Sequence, residues 1–330
     1  MKDSAQLGTI AFITTPEFRK THTSDLDRFI RLHLYNLCRY FTVLTTGRTN
    51  QYIDDLIRRD QDDAERVDVA FGMGVTAIDD HDLKRWRETI DGSLRPQGSG
   101  IGGMIEITYQ LVEGTLDAII HLTDWGDVAT KPDSMVLRRE ANVHKVPIAS
   151  DIHTAKAFIA AWQGKLAQPG TPDLFRKRTP KATSPLDGLT DHDRVLAMIA
   201  HDAKKLELCC FAVEHMTKIF KDFDYILATG TTGEWLKNFA NACGRGKHDV
   251  DKIRLCESGP KGGDVQIAAA VARGICRRVI FLQDPFTSHA HETDIHLFEQ
   301  SVLLFERAAL TAFDIELATN VESARAILGV

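Results

Sequence analysis

Residues that bind anions and move protons follow the apolar runs in the second half of the chain. His201 and Asp202, with Lys205 shortly after them, follow the run Val195–Ala200, and residues 229–233 (Thr-Gly-Thr-Thr-Gly) follow the next run. A loop of glycine and hydroxyl residues that opens a helix offers backbone N–H donors and the positive end of a helix dipole to an anion. Phosphate is the natural ligand of such a loop. Threonine and glycine also serve as cap and turn residues, so the loop alone leaves both interpretations open.

A second glycine-rich turn, residues 257–264 (Glu-Ser-Gly-Pro-Lys-Gly-Gly-Asp), ends in a carboxylate. Its glycines permit a close approach of the backbone, and Asp264 stands at the start of the helix predicted to follow. One interpretation makes this side chain the N-cap of that helix. The other makes it a general base aimed into the cleft that the Thr-Gly loop borders.

Histidines and aspartates are clustered near the last predicted strand ends. Asp284 is followed by His289, His291, Asp294 and His296. The spacing His-x-His-x-x-Asp-x-His matches no tetrahedral zinc motif, and no cysteine joins it, so we expect no metal here. His291, between two aspartates, is the better candidate for proton transfer, whereas His289 and His296 are expected on the surface or in packing.

Nucleotides and nucleic acids are poor ligands for this chain. Residues 244–248 (Gly-Arg-Gly-Lys-His) do not form a P-loop, because Asn241 and His248 stand where that motif needs glycine and a hydroxyl residue. No Gly-x-Gly-x-x-Gly follows a predicted strand. The net charge of -6 leaves no basic surplus to neutralise a phosphate backbone, so we predict no nucleic-acid partner.

Short apolar runs alternate with stretches of helical period, and this alternation is what must position the polar residues. The runs in the second half are Val195–Ala200, Tyr225–Ala228, 279–282 and 315–318. They are too continuous for one-faced antiparallel strands and indicate a parallel sheet with helices on both faces. Ligands of such sheets bind at the carboxyl ends of the strands, where the polar residues stand.

The chain contains one long internal repeat. Residues 102–108 correspond to 262–268, and Asp124 to Asp284, at the constant offset of 160 residues. We therefore predict an α/β protein of two tandem doubly wound parallel-sheet domains, residues 1–162 and 191–330. The segment 163–190, rich in Pro, Thr and Lys, is the predicted linker.

Composition and length place the chain among ordinary globular proteins. It has 330 residues, 26% of them charged, which fits about two domains. We found no signal core at the N-terminus and no apolar run long enough to span a bilayer, so we expect no membrane partner and a cytoplasmic location. Its six cysteines show no framework spacing and are expected to be reduced thiols.

Five blocks in the second half, taken in order, closely resemble methylglyoxal synthase over about residues 194–330. They are Ala200-His201-Asp202 with Lys205, residues 228–233, residues 258–264, Asp284-Pro285 with His291 and Asp294, and Ala318-Thr319-Asn320. Such a resemblance implies a lyase without metal or cofactor that converts dihydroxyacetone phosphate to methylglyoxal and inorganic phosphate. The family's doubly wound domain assembles as a hexamer.

Site residues follow from this resemblance position by position. It implies that the substrate phosphate is held by Lys205, Thr229, Gly230, Thr231, Thr232, Ser258 and Gly259. Asp264 would be the base and His291 would serve the enediol oxygens. Completing the site would be Asp284, Asp294, His201 and Asp202.

The first copy lacks the residues that correspond to this site. Thr15 and Pro16 replace the His-Asp pair, Arg48 replaces Thr231, and Met104 replaces the proposed base. A thioether cannot abstract a proton, so the first copy is predicted to be a structural or regulatory partner. If two copies stand in for two subunits, a trimer of this chain would mimic the family's hexamer, and we expect a homo-oligomer.

Two rival functions remain open at this point. The same fold resembles non-catalytic ligand-sensing domains, such as the allosteric domain of carbamoyl phosphate synthetase. Those relatives need not keep the aspartates and histidine present here, which favours the lyase. A metal-dependent hydrolase built on His289, His291 and Asp294 is the third hypothesis.

Overall fold

The computed structural model describes residues 7–59, 63–98, 100–124, 131–167, 178–284, 286, 296 and 315–330. It divides into two compact units, Met1–Pro180 and Lys181–Val330. The division falls inside the predicted linker 163–190, of which residues 163–167 are helical instead. The domain limits 1–162 and 191–330 stay predictions.

The first unit is a five-stranded parallel sheet with strand order β3-β2-β1-β4-β5. Its strands are β1 (Gly8–Thr14), β2 (Phe41–Thr45), β3 (Leu94–Pro96), β4 (Ala118–Leu122) and β5 (Ile148–Ala149). Its described helices are α1 (Pro16–Thr21), α2 (Thr23–Tyr40), α3 (Gly47–Arg59), α4 (Asp63–Met73), α5 (Asp80–Ser93), α6 (Gly100–Val112), α7 (Pro132–Val143) and α8 (Ile152–Ala167).

The second unit is also a five-stranded parallel sheet, with strand order β10-β9-β6-β7-β8. Its strands are β6 (Val195–Ala200), β7 (Tyr225–Ala228), β8 (Ile253–Leu255), β9 (Cys276–Leu282) and β10 (Glu316–Ala318). Its described helices are α9 (Lys205–Glu214), α10 (Met216–Asp222), α11 (Gly230–Ala242), α12 (Lys247–Asp251), α13 (Gly263–Ala272) and α14 (Val321–Leu328). Two short 3₁₀ turns cover Asp202–Lys204 and Gly259–Lys261.

The two sheets agree in register as well as in strand order. Ala11 of β1 pairs with Leu44 and Ile119, and Ala197 of β6 pairs with Leu227 and Val279. Each of these residues of the second sheet is the repeat counterpart of one in the first. The chain is therefore an α/β protein with two tandem, doubly wound parallel sheets, as the sequence predicts.

Both faces of each sheet are covered, which explains the continuous apolar runs. In β1, Ile10 and Phe12 belong to one buried cluster, whereas Ala11 and Ile13 belong to another. All six residues of β6 are buried. A strand covered on both sides needs apolar residues at every position, and the free carboxyl ends are left to carry polar groups.

Strand limits differ from the prediction in three places. Strand β9 begins at Cys276, before the apolar run 279–282, and β10 begins at Glu316, one residue after the start of the run 315–318. Strand β8 has no predicted counterpart. Strand β8 is a three-residue edge strand with Arg254 at its centre, and so short a mixed segment gives no periodic signal. The predicted helical stretch 297–312 lies outside the described residues. Among the helices that the structure describes, none has the length and apolarity needed to cross a bilayer.

Candidate active site

A cavity of about 350 Å³ opens at the carboxyl ends of β6, β7 and β8. It lies beside the central strand β6, where the sheet order reverses, which is where doubly wound sheets bind ligands. Its described lining residues are Ile199, Ala200, His201, Asp202, Lys205, Thr229, Thr231, Ser258, Gly259, Pro260, Asp264 and Phe281.

His201 is the first residue after β6 and is only 7% exposed. Its backbone N–H donates to the Leu282 carbonyl of β9 (3.1 Å), which fixes its place beside the strand end. Its Nδ1 accepts a hydrogen bond from the Asp284 backbone N–H (2.8 Å), and its ring packs edge-on against Phe281. Because Nδ1 accepts, the neutral imidazole carries its proton on Nε2, which is then a donor.

Lys205 brings a positive charge to the cavity. Its side chain is 14% exposed, and its Nζ lies 2.5 Å from Oδ1 of Asp202, whose side chain is 92% exposed. The 3₁₀ turn Asp202–Lys204 and the start of α9 hold the two groups three residues apart. An anion entering the cavity meets an ammonium that one exposed carboxylate only partly neutralises.

The Thr-Gly loop divides into residues that line the cavity and residues that support it. Thr229 and Thr231 line the cavity, whereas Gly230 and Thr232 are not part of its described lining. The Oγ1 of Thr229 donates to Oγ1 of the fully buried Thr232 (3.3 Å), and the Gly230 N–H donates to the Glu257 carbonyl (3.0 Å). We conclude that Gly230 and Thr232 hold the loop in place through these hydrogen bonds.

The second loop reaches the cavity through two glycines with separate roles. Gly262 has φ of 96°, a left-handed conformation that suits glycine, and it is the N-cap of α13. At Gly263 a Cβ atom would lie 2.0 Å from the Glu257 carbonyl oxygen, so a side chain there would force the backbone apart. This close contact places Ser258 and Gly259 at the cavity beside the start of α13.

Asp264 lies in the first turn of α13 and is 3% exposed. It is not the N-cap, because Gly262 holds that position. The N-cap interpretation of Asp264 is therefore wrong, and the carboxylate lines the cavity instead.

The remaining predicted site residues are Asp284, His291 and Asp294. Asp284 supports the site through its backbone bond to His201, and its Oδ1 accepts from the Phe286 N–H (3.1 Å). The described lining of the cavity does not include Asp284. His291 and Asp294 lie outside the described residues, as does His289.

Two residues that the sequence did not single out organise the second loop. Gln266, which is 1% exposed, accepts a hydrogen bond at Oε1 from the Glu257 backbone N–H (2.7 Å). The carboxylate of Glu257 pairs with Lys181 (2.7 Å). A buried glutamine in a helix of otherwise apolar and small residues was the available signal for Gln266. The Lys181–Glu257 pair joins residues 76 positions apart and leaves no local pattern.

The corresponding region of the first unit is built differently. The Thr15 N–H donates to the Leu122 carbonyl (3.1 Å), and this bond matches the one from the His201 N–H to the Leu282 carbonyl in the second unit. Arg19, at the position of Lys205, donates to the carbonyl and hydroxyl of Thr14. Thr49 Oγ1 accepts from the Thr14 N–H and lies 2.9 Å from Oγ1 of Thr46. These hydroxyls and the guanidinium bond to one another.

One group of side chains in the described part of the chain has metal-ligand types close together, namely Asp79, His81 and Asp82. It lies at the start of α5 in the first unit, where Asp79 Oδ1 accepts from the Asp82 N–H and caps the helix. Helix capping accounts for this arrangement.

A doubly wound α/β unit whose strand ends gather a lysine, hydroxyls, a carboxylate and a histidine belongs to the ligand-binding α/β proteins. Comparison with known proteins narrows this class. The chain belongs to the methylglyoxal synthase family, because it matches curated members over nearly their whole length. No family model matches the chain.

Three relatives illustrate the match. Methylglyoxal synthase of Clostridium perfringens is 41% identical over 133 residues, covering 40% of this chain and 96% of that protein. The Thermus thermophilus protein is 36% identical over 136 residues, which cover 41% of this chain and 92% of that protein. The protein of Cupriavidus pinatubonensis is 38% identical over 133 residues, which cover 39% of this chain and 85% of that protein. A crystal structure of methylglyoxal synthase from Elizabethkingia anophelis is 27% identical, covers 43% of this chain and 80% of that one, and has a TM-score of 0.34.

Proposed function

We propose that the second unit is a carbon-oxygen lyase that converts dihydroxyacetone phosphate to methylglyoxal and inorganic phosphate. The observation that supports this proposal most directly is that an ammonium, threonine and serine hydroxyls, a glycine loop and a buried carboxylate line one cavity. The ammonium and the hydroxyl loops suit a phosphate ester, and the carboxylate suits removal of a proton. Relatives named methylglyoxal synthase support the same assignment.

The first step is removal of a proton from the hydroxymethyl carbon, next to the carbonyl. The Asp264 carboxylate takes this proton, and the electron pair of the broken C–H bond forms a C=C bond with the carbonyl carbon. Negative charge then develops on the carbonyl oxygen. An N–H donor near that oxygen stabilises the enediolate. His201, with its proton on Nε2, is one such donor lining the cavity, and His291 is proposed as another.

The second step expels phosphate. The terminal hydroxyl of the enediolate gives up its proton, which the departing phosphate takes up, and its oxygen forms the C=O bond of the aldehyde. The pair of the existing C=C bond shifts to a new C=C bond with the phosphate-bearing carbon, and the bond between that carbon and the phosphate oxygen breaks, its electron pair leaving with the phosphate. Lys205, with the hydroxyls and backbone N–H groups of the two loops, stabilises the departing anion. The enol that remains takes up a proton at the former ester carbon and becomes methylglyoxal.

Incubation of the full chain with dihydroxyacetone phosphate, with methylglyoxal trapped and quantified, tests this function. We expect stoichiometric release of methylglyoxal and inorganic phosphate, unchanged by EDTA. Tight phosphate binding without turnover would instead support the ligand-sensing alternative. Loss of activity in EDTA with recovery on adding zinc would support the metal-dependent hydrolase.

The first unit is proposed to act in assembly. It repeats the fold of the second unit, while Met104 packs in an apolar cluster where the second unit has its carboxylate. With two such units per chain, three chains would supply the six domains of the family's hexamer. Light scattering of the full chain tests this: a trimer supports the proposal and a hexamer of chains contradicts it.

A further inference from the structure

Glu257 connects both loops of the candidate site. Its carbonyl oxygen accepts the N–H of Gly230, the first residue of α11. The same oxygen is the atom that excludes any side chain from Gly263, and the Glu257 N–H is held by Gln266. Moving Glu257 therefore moves the loop carrying Ser258 and Gly259 together with the support of the Thr-Gly loop.

The side chain of Glu257 is anchored outside the cavity by the segment that opens the second unit. Lys181 Nζ lies 2.7 Å from Glu257 Oε1, and the two side chains are 29% and 37% exposed. The residues after Lys181 are fixed in turn to β8, because Arg254 Nη1 donates to the carbonyls of Pro185 (3.2 Å) and Asp187 (2.6 Å). The stretch of chain that follows Lys181 is thus attached to β8 by these two hydrogen bonds.

We propose that Lys181, acting through its ion pair with Glu257, is a positioning residue that sets the phosphate affinity of the neighbouring cavity. This inference rests on the proposed function only in taking the cavity to bind phosphate. No residue of the pair lines the cavity, so neither is assigned a part in the chemistry. The segment before β6 then has a role in ligand binding besides joining the units.

The charge and the burial of this ion pair set the size of its expected effect on phosphate affinity. A half-exposed ion pair contributes about 0.2–1 kcal/mol, which corresponds to a change of roughly 1.5- to 5-fold in an equilibrium constant. On the same side of the loop a second cavity is lined by Lys181 and Glu257 together with Lys237, Asp251 and Arg254. Lys237 makes no hydrogen bond or ion pair to the described residues, so it provides a matched control lysine.

The experiment measures two quantities on the full chain: the Kd of inorganic phosphate by titration calorimetry, and KM and kcat for dihydroxyacetone phosphate. The variants are Lys181→Met, Glu257→Gln, Lys181→Glu, Glu257→Lys and the charge-swapped pair Lys181→Glu with Glu257→Lys. Lys237→Met is the control. Thermal unfolding of each variant verifies that it is folded.

We expect Lys181→Met and Glu257→Gln to raise the phosphate Kd and KM by about 1.5- to 5-fold with kcat within about twofold. The charge-swapped pair should recover most of the affinity that each reversed single variant loses, and the control should match the wild type. Equal phosphate Kd in wild type and Lys181→Met, or no recovery in the swapped pair, would overturn the positioning role.

Failure of the two proposals can be told apart. A wild-type chain that binds phosphate but makes no methylglyoxal contradicts the lyase, while the phosphate Kd series still decides the role of Lys181. A wild-type chain that binds no phosphate overturns both. Active enzyme with identical Kd values across the series overturns the positioning role alone.

Discussion

Asp264 is placed by its neighbours rather than by its own sequence context. Gly262 occupies the N-cap of α13 and Gly263 allows the loop to pass close to the helix start, which leaves Asp264 in the first turn facing the cavity. An aspartate after two glycines looks like a cap in the sequence. Only the left-handed Gly262 and the cavity wall distinguish a lining carboxylate from a capping one.

We predict that Asp264→Asn lowers kcat by about 10²- to 10⁴-fold while phosphate still binds. The amide has the shape of the carboxylate but cannot accept the α proton at neutral pH. Methylglyoxal formation measures the first effect and titration calorimetry with phosphate the second. More than about a tenth of the wild-type rate in this variant would exclude Asp264 as the base.

A second residue-scale prediction concerns His33 on α2. Burial, with a smaller contribution from the Lys156 ammonium, lowers the pKa of His33 from its usual 6.5 to about 4. In the unfolded chain the imidazole takes up a proton as the pH falls below about 6.5, whereas in the folded chain it stays neutral until about 4. Stability contributed by this group is thus complete above pH 6.5 and is lost as the pH falls toward 4.

His33→Gln should therefore remove part of the acid sensitivity of the chain. The half-buried ring is screened by solvent, so we expect the difference in unfolding free energy between pH 7 and pH 4.5 to shrink by about 1–2 kcal/mol in the variant. Urea unfolding at both pH values measures it. His192→Gln, which changes a histidine with a 93% exposed side chain, is the control and should leave the difference unchanged. An unchanged difference in His33→Gln would contradict the prediction.

At the scale of elements, the two site loops depend on close contact between backbones. We predict that Gly263→Ala destabilises the second unit by about 2 kcal/mol or more and weakens phosphate binding at least tenfold. Its Cβ would meet the Glu257 carbonyl oxygen at 2.0 Å, and a backbone atom cannot swing aside as a flexible side chain can. Chemical unfolding and phosphate titration measure the two effects.

The matched control is Gly246→Ala at the start of α12. Gly246 has φ of -67°, and no neighbouring atom lies within 4 Å of the position that a Cβ would occupy, so an alanine fits without strain. We expect its unfolding free energy to change by no more than about 0.5 kcal/mol. A Gly263→Ala protein as stable as this control would show that the loop can move away, and the packing argument would fail.

The central strands and the helix after the second loop could be predicted because they carry continuous, local signals. Runs at β6 and β7 coincide with the observed limits, and the helix predicted from Asp264 begins at Gly263. The three-residue strand β8 could not be predicted, because its pairing with β7 is made in space and not in the sequence. The ion pair of Lys181 with Glu257 was missed for the same reason, since its residues are 76 positions apart, whereas Gln266 had the local signal of a polar residue among apolar and small ones.

At the scale of the whole molecule, two units of one fold differ in the residues that stand at their strand ends. Register and strand order are common to both sheets, so the scaffold has been kept. In the second unit the carboxylate at α13 lines a cavity. In the first unit Met104 packs with Ala11, Ile13 and Leu44, and the hydroxyls at the strand ends bond to one another and to Arg19.

This contrast predicts that the full chain binds one phosphate, not two. Titration calorimetry should give a stoichiometry near one per chain, and Lys205→Met should abolish that binding. Among the described residues of the first unit, Arg19 is the counterpart of Lys205, and its guanidinium donates to the carbonyl and hydroxyl of Thr14. Two phosphates per wild-type chain, or one remaining in Lys205→Met, would assign a binding role to the first unit.

Met104→Asp tests the same divergence from the other direction. The new carboxylate would lie among apolar side chains, where an unpaired charge costs several kcal/mol, so we expect the first unit to lose stability. Introduced together with Asp264→Asn, it should restore no methylglyoxal formation, since Thr15 and Pro16 stand at the positions of His201 and Asp202 and leave the new carboxylate without that pair. Activity recovered in that double variant would mean that the first unit keeps a competent cleft, and its assignment to assembly would be wrong.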